Sequence, residues 1–238
     1  MRKAFSLVLF LCVAQAYGEP ENIAAIRKKA EGGDVKSQSL LGSHYYLDLA
    51  DGVEAQKQAV KWLRASGDQG HAQSQYFLGR IFATGCPEKY FHKNDEEAVK
   101  WWSKAAASDY LEAFNALGEA YFEGNGVPRD HRLAFRWYLK AGKRGDYQAQ
   151  HHLGEQYRLG QGVAKDFIKA HAWYELSIRC IPKWQRERLG VRSPAEVDRE
   201  ALAQKMTMEQ TKEAQKFVQV LLKRIQANQE ETEPGREP

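Results

Sequence analysis

Apolar and small residues return along this chain in two alternating stripes, each with the period of a helix. In the clearest stretch Ala113, Leu117, Gly118 and Tyr121 mark one face of a helix predicted over about 111–123. The run Gly124-Asn125-Gly126-Val127-Pro128 ends it, because glycine tolerates left-handed backbone and proline does not continue a helix. Asp130 then stands as the cap of a second helix over about 131–143, with Ala134, Trp137, Tyr138 and Ala141 on its buried side. The next stretch repeats this order: Ala149, Leu153, Gly154, Tyr157, Gly160-Gln161-Gly162-Val163, Asp166, Ala170, Trp173 and Tyr174.

Looser copies lie upstream. The second keeps Leu78, Gly79, Phe82, Gly85, Asp95, Ala98, Trp101 and Trp102 but lengthens its turn through residues 86–92, so that loop is expected to project. The first keeps Leu41, Gly42, Tyr45, Ala59, Trp62 and Leu63. The four glycines fall 37, 39 and 36 residues apart and the four tryptophans 39, 36 and 36. A period in this range predicts a stacked array rather than a single closed core. A mid-helix glycine costs about 1 kcal/mol relative to alanine, so its return in every copy predicts close approach of a neighbouring helix. Each Trp follows a buried-type Ala by three residues, which assigns the Trp series to the core rather than to a ligand ladder.

The recurring pattern A-x-x-x-L-G-x-x-Y/F-x-x-G-x-G-V, followed by D-x-x-x-A-x-x-W-Y, resembles the Sel1-like repeat family, relatives of the tetratricopeptide repeats. The resemblance covers about 34–177. It implies an all-α fold, a right-handed α-solenoid of about four helix-pair repeats, with the first helices lining the inner face. Members of the family act mostly as adaptors or scaffolds, often outside the bacterial cytoplasm.

Outside the array, 17–33 is expected to hold an N-terminal capping helix, apolar at Ile23, Ala24 and Ile26, ahead of the solenoid at 34–179. A connector follows at 180–192, then capping helices over 193–228 and a disordered tail at 229–238. Ser193-Pro194-Ala195-Glu196 has capping-box spacing with a first-turn proline, and Thr207 is placed to cap the last helix. The basic connector around Trp184 reads as a solvated link, since Glu187 interrupts its charge and no apolar face accompanies it.

At the start, Arg2 and Lys3, the apolar run 4–13 and Ala14-Gln15-Ala16 read as a signal peptide over 1–16. A periplasmic protein is expected, with secretion to the medium as the other destination. No segment is apolar enough to span a membrane. Without Arg2 and Lys3 the 35 basic residues become 33 against 31 acidic, so the chain lacks the basic excess of a nucleic-acid binder. Cys86 and Cys180 would remain. They stand more than two repeats apart, too far for an intramolecular bridge, which leaves two thiols or an intermolecular link.

No nucleophile motif, phosphate loop or zinc-protease motif occurs. His151 and Glu155 share a helix face, but two ligands without a third do not make a metal site. Glu119 and Glu155 occupy equivalent positions one repeat apart and have no companion nucleophile. No cofactor and no metal are expected. Counting from each repeat glycine reaches the positions the repeat does not constrain: Ser39, Ser43 and Tyr46; Tyr76 and Arg80; Asn115, Glu119 and Phe122; His151, Glu155 and Arg158. Their mixture of aromatics, amides and both charge signs suits a protein ligand.

The resulting expectation is an exported, non-catalytic adaptor or inhibitor, monomeric when unbound, that holds a protein partner on its inner face as scaffold, regulator or immunity protein. The loop near Cys86 is the other candidate surface. Some cysteine-rich members of the family are linked to β-lactam binding or slow hydrolysis, but those carry a Cys pair in nearly every repeat, and this chain has none. A host-interaction factor after full secretion is the third reading.

Overall fold

Residues 23–47, 53–85, 92–182 and 192–232 are described in the computed structural model; they are 79% helical and contain no strand, which makes the chain all-α. Eleven helices follow one another among the described residues: α1 (Ile23–Glu31), α2 (Val35–Leu47), α3 (Val53–Asp68), α4 (Ala72–Thr84), α5 (Asp95–Ala107), α6 (Leu111–Glu123), α7 (His131–Gly142), α8 (Tyr147–Leu159), α9 (Phe167–Cys180), α10 (Pro194–Ala203) and α11 (Met208–Thr232).

 The even-numbered helices α2, α4, α6 and α8 are the first helices of four pairs, and α3, α5, α7 and α9 are the second, so that the fourth first helix spans Tyr147–Leu159. The expected signal peptide, the loop bearing Cys86 and residues 183–191 of the connector, with Trp184, lie outside the described residues.

The chain divides into two compact units, one reaching Ala113 and the other beginning at Phe114, and the division falls within α6. In the first unit α1 packs on α2, α2 on α3, α3 on α4 and α4 on α5. Ile26 and Ala30 of α1 pack with Leu41 and Trp62. Leu63, Phe77, Leu78, Phe82 and Trp101 continue the core. In the second unit α7 packs on α8, α8 on α9, and α9 on both α10 and α11. Ala195 and Leu202 of α10 cover Ala170 and Tyr174 of α9.

The repeat glycines sit where the predicted close approach occurs. A Cβ on Gly42 would lie 2.7 Å from the Leu63 side chain, and one on Gly118 or Gly154 would lie 2.5 Å from the ring of Tyr138 or Tyr174. On Gly79 it would overlap the indole of Trp102. Trp62, Trp101 and Trp173 are buried. Trp137 is half-buried, stacked on Phe114 at 5.8 Å and overlain by the Lys140 ammonium at 4.5 Å, so its ring is spent on packing as well.

Two further columns hold the pairs in register. Gln38, Gln75 and Gln150 are buried and each donates its amide N–H to a carbonyl eight residues earlier, on Ala30 at 3.1 Å, Gly67 at 2.8 Å and Gly142 at 2.9 Å. These bonds tie each first helix to the end of the helix before it and give a second donor to carbonyls that already accept the N–H of Gly33, Gly70 and Gly145. In the turns between repeats, Gly33, Gly70, Asp109 and Gly145 all have positive φ, at 92°, 90°, 62° and 93°. That left-handed position suits glycine, and Asp109 is the one non-glycine with positive φ among the described residues.

Caps follow the sequence reading, with one shift. Asp130 accepts from the N–H groups of Arg132 and Leu133, and Asp166 accepts from that of Lys169. In the second repeat the cap is Asn94, one residue ahead of Asp95, accepting from Glu97 N–H at 3.0 Å. Ser193 and Glu196 complete a reciprocal capping box, and Thr207 and Gln210 exchange the same two bonds. The last helix continues to Thr232, beyond the end of its apolar stripe at Ile225. Ala, Gln and Glu are good helix formers and carry it onward.

Candidate functional site on the first-helix faces

The positions reached by counting from each glycine divide between the two units. In the first, Tyr46 packs its ring on Phe77 at 5.0 Å, and Tyr76 lies 5.6 Å from Phe77 and 5.4 Å from Tyr110. Tyr46, Tyr76 and Tyr110 remain half-buried, so they form an aromatic run with one edge open to solvent. Burial pushes the phenols of Tyr76 and Tyr110 above their ordinary range, which keeps them neutral donors. Arg80 hydrogen-bonds Tyr76 and places a cation beside the run. Ser39 and Ser43, expected on this accessible face, are instead buried at 4% and 5% exposure.

In the second unit the face is polar. Asn115 is buried rather than accessible, and its Nδ2 donates to Glu119 Oε1 at 3.2 Å. Glu119 is exposed, whereas Phe122 is half-buried against His131 at 4.8 Å and Tyr138 at 6.5 Å. One repeat on, Arg158 donates to Glu155 Oε1 at 2.7 Å and to the Tyr174 hydroxyl at 3.2 Å. His151 Nε2 meets Asp198 Oδ2 of α10 at 2.8 Å. The C-terminal cap thus occupies the outward edge of His151.

His152 was not among the positions selected by counting, yet it joins the two repeats. Its ring stacks on Tyr138 at 4.6 Å with an interplanar angle of 18°, and its Nε2 lies 3.8 Å from Glu119. Burial pushes its pKa down to about 4, His151 acts in the same direction, and Glu155 opposes them. At neutral pH the ring is uncharged, so its approach to Glu119 carries little ionic attraction. His152 stands two residues before Gly154, where Phe77 stands before Gly79, and that correspondence with a core aromatic was the signal available in the sequence.

These groups offer hydrogen bonds, neutral aromatic edges and exposed charge of both signs. Glu119 and Glu155 both act on His152. Among the described residues no three His, Cys, Asp or Glu side chains converge as a metal site. Cys180 is a half-buried free thiol that burial pushes up from its ordinary pKa, while Cys86 lies outside the described residues. No described helix is long and apolar enough to cross a membrane.

Known proteins share this architecture. A crystal structure of a protective antigen present in uropathogenic Escherichia coli, displaying an SLR fold, matches with a TM-score of 0.73 and 26% identity, over 98% of this chain and 49% of that one. A Sel1 repeat protein from Oxalobacter formigenes matches with a TM-score of 0.60 and 26% identity, over 88% of this chain and 86% of the other. In sequence, an uncharacterized protein of Neisseria meningitidis serogroup B is 30% identical over 122 residues, and chitin synthase regulatory factor 3 of Schizosaccharomyces pombe is 30% identical over 104. Those alignments take in 50% and 44% of this chain but span only 24% and 11% of the two relatives. The Sel1 repeat model matches four times, over residues 35–71, 72–110, 112–146 and 148–180. Each match takes in one of the helix pairs described above, and the chain belongs to the Sel1 repeat family.

Proposed function

We propose that this protein is an exported adaptor or inhibitor that binds a partner protein through the first-helix faces of its repeats and performs no catalysis. Sel1 repeat proteins generally mediate protein–protein interaction. The observation that carries the reading here is the contrast between columns of the repeat. Positions facing a neighbouring helix hold the same or similar residues in each copy, as at Gly118 and Gly154 or at Tyr138 and Tyr174. The solvent-edge columns vary more: the position after the glycine holds Arg80 and then Glu119 and Glu155, and the one four residues beyond the glycine holds Tyr46, Phe122 and Arg158. Packing needs repetition, whereas a particular partner needs variety.

Within this reading the protein is a scaffold, a regulator or an immunity protein of the periplasm. Export rests on the charged start, apolar run and small-residue site of the first 16 residues. The neighbour described as a protective antigen fits a protein of the cell exterior, and the relative described as a regulatory factor fits a non-catalytic role.

Affinity capture from periplasmic extract with the full chain, read by mass spectrometry, tests the proposal. One stoichiometric protein should be retained by the wild type, lost with Glu119→Arg or Arg80→Glu, and kept with Lys100→Glu on a second helix. Equal recovery with all three variants, or no retained protein, overturns it.

A further inference from the structure

The second unit holds a cavity of about 690 Å³ whose walls come from α9, α10 and α11. Its centre is a carboxylate already in place. Glu175 on α9 accepts from Arg179 Nε at 2.7 Å and from Arg199 of α10, and its side chain is 18% exposed. Burial alone would raise its pKa, but the two guanidinium bonds outweigh it and hold the carboxyl below its ordinary range. The surroundings are built to receive negative charge.

That one carboxylate does not exhaust the cations. Lys212 and Lys216 of α11 also line the cavity, and neither makes an ion pair among the described residues. They stand four residues apart on one helix, where like charges repel. Glu200, the other acid in the wall, already takes Arg192. Lys212 also lies near the start of α11, where the helix dipole adds positive potential. On α9 His171 also lines the cavity, is only 7% exposed, and its buried Nδ1 has no hydrogen-bond partner among the described residues.

We propose that this groove is a second binding site, one that takes the carboxylates of an acidic peptide segment. The cations come from three helices and are interleaved with the neutral Thr211, Gln215 and Gln219 and with the apolar Ala203 and Val218. A single tetrahedral anion uses one focus of charge. An extended segment with spaced carboxylates uses the lysines and Arg199 at once, while the amides and the apolar atoms meet its backbone and its carbon chains. The site lies apart from the first-helix faces and holds whether or not those faces bind a partner.

Fluorescence anisotropy of the full chain with a labelled hexapeptide of alternating Asp and Glu, beside its Asn/Gln counterpart, tests it. The acidic peptide should bind, and the amide peptide should bind at least 10-fold more weakly. Lys212→Glu with Lys216→Glu should weaken the acidic peptide at least 10-fold, while Lys223→Glu, on the same helix outside the groove, leaves it unchanged. Should the double charge reversal unfold, Lys212→Ala with Lys216→Ala is read instead, against the same threshold. No binding of the acidic peptide, equal binding of the two peptides, an unchanged affinity in the double variant, or displacement by equimolar inorganic phosphate overturns the proposal.

Discussion

The ring of Tyr138 fills the space that a side chain on Gly118 would need, since a Cβ built there lies 2.5 Å from two of its ring carbons. Tyr174 stands in the same relation to Gly154 one repeat later. Both rings are fully buried, so neither moves aside into solvent. Gly118→Ala and Gly154→Ala should therefore destabilise. Overpacking costs about 1–3 kcal/mol, and a fully buried ring places these sites toward the upper end, above the ~1 kcal/mol that alanine gains in a helix. Scanning calorimetry should show a melting temperature lowered by a few degrees. A higher one would mean the rings yield at little cost.

His152 links stability to acidity. Its pKa falls from about 6.5 in the unfolded chain to about 4 when folded, chiefly through burial. The folded state therefore resists taking the proton. The resulting stability is fully present above about pH 6.5 and is lost as pH falls toward 4, on the order of 3 kcal/mol in all. Denaturant titrations of the wild type and His152→Gln should show a stability difference that changes across this window. Parallel curves would refute the assignment.

The buried glutamine column makes a separate claim. Gln150→Leu removes one of two donors to Gly142 O, which keeps the Gly145 N–H at 3.2 Å. A loss of about 0.5–1.5 kcal/mol is expected, and Gln75→Leu should behave alike at Gly67 O, which keeps the Gly70 N–H. Urea unfolding gives the number. In the third repeat Phe114 takes the glutamine's position and stacks on Trp137 instead, so Phe114→Gln tests whether the two solutions interchange.

His151 and Asp198 connect α8 to α10 across 47 residues of chain. Both side chains are partly exposed, at 23% and 32%, so the bond contributes no more than about 1 kcal/mol. Asp198→Ala should leave the melting temperature nearly unchanged yet speed hydrogen exchange over 194–203. Unaltered exchange there would show that Ala195 and Leu202 alone hold the helix down.

Much of this molecule was legible before folding. Ala113, Leu117 and Gly118 at helical spacing, Gly124 and Gly126 with Pro128 behind them, and Asp130 as a cap placed α6, its turn and the start of α7, because each signal acts within one or two turns of chain. Repetition then carried the argument further. A residue that returns at the same offset is answering the same neighbour, so Gly118 and Trp173 could be read as packing without any coordinates. The glutamines at 38, 75 and 150 obey that ruler too, but a lone Gln reads as a surface residue until its buried carbonyl partner is in view.

The candidate faces were less legible. Counting from the glycine selects a side of the helix but not how deeply each residue sits, so Asn115, Ser39 and Ser43 were expected at the surface and are buried. His152 against Tyr138, Asp198 against His151, and the charged groove between α9 and α11 depend on pairs that occur once. A contact made once, between residues far apart in the chain, leaves no period to count. The linear order of residues therefore determined the helices, their ends and the faces they bury, whereas packing of the helices chose which exposed-looking side chains are occupied and which remain for a partner.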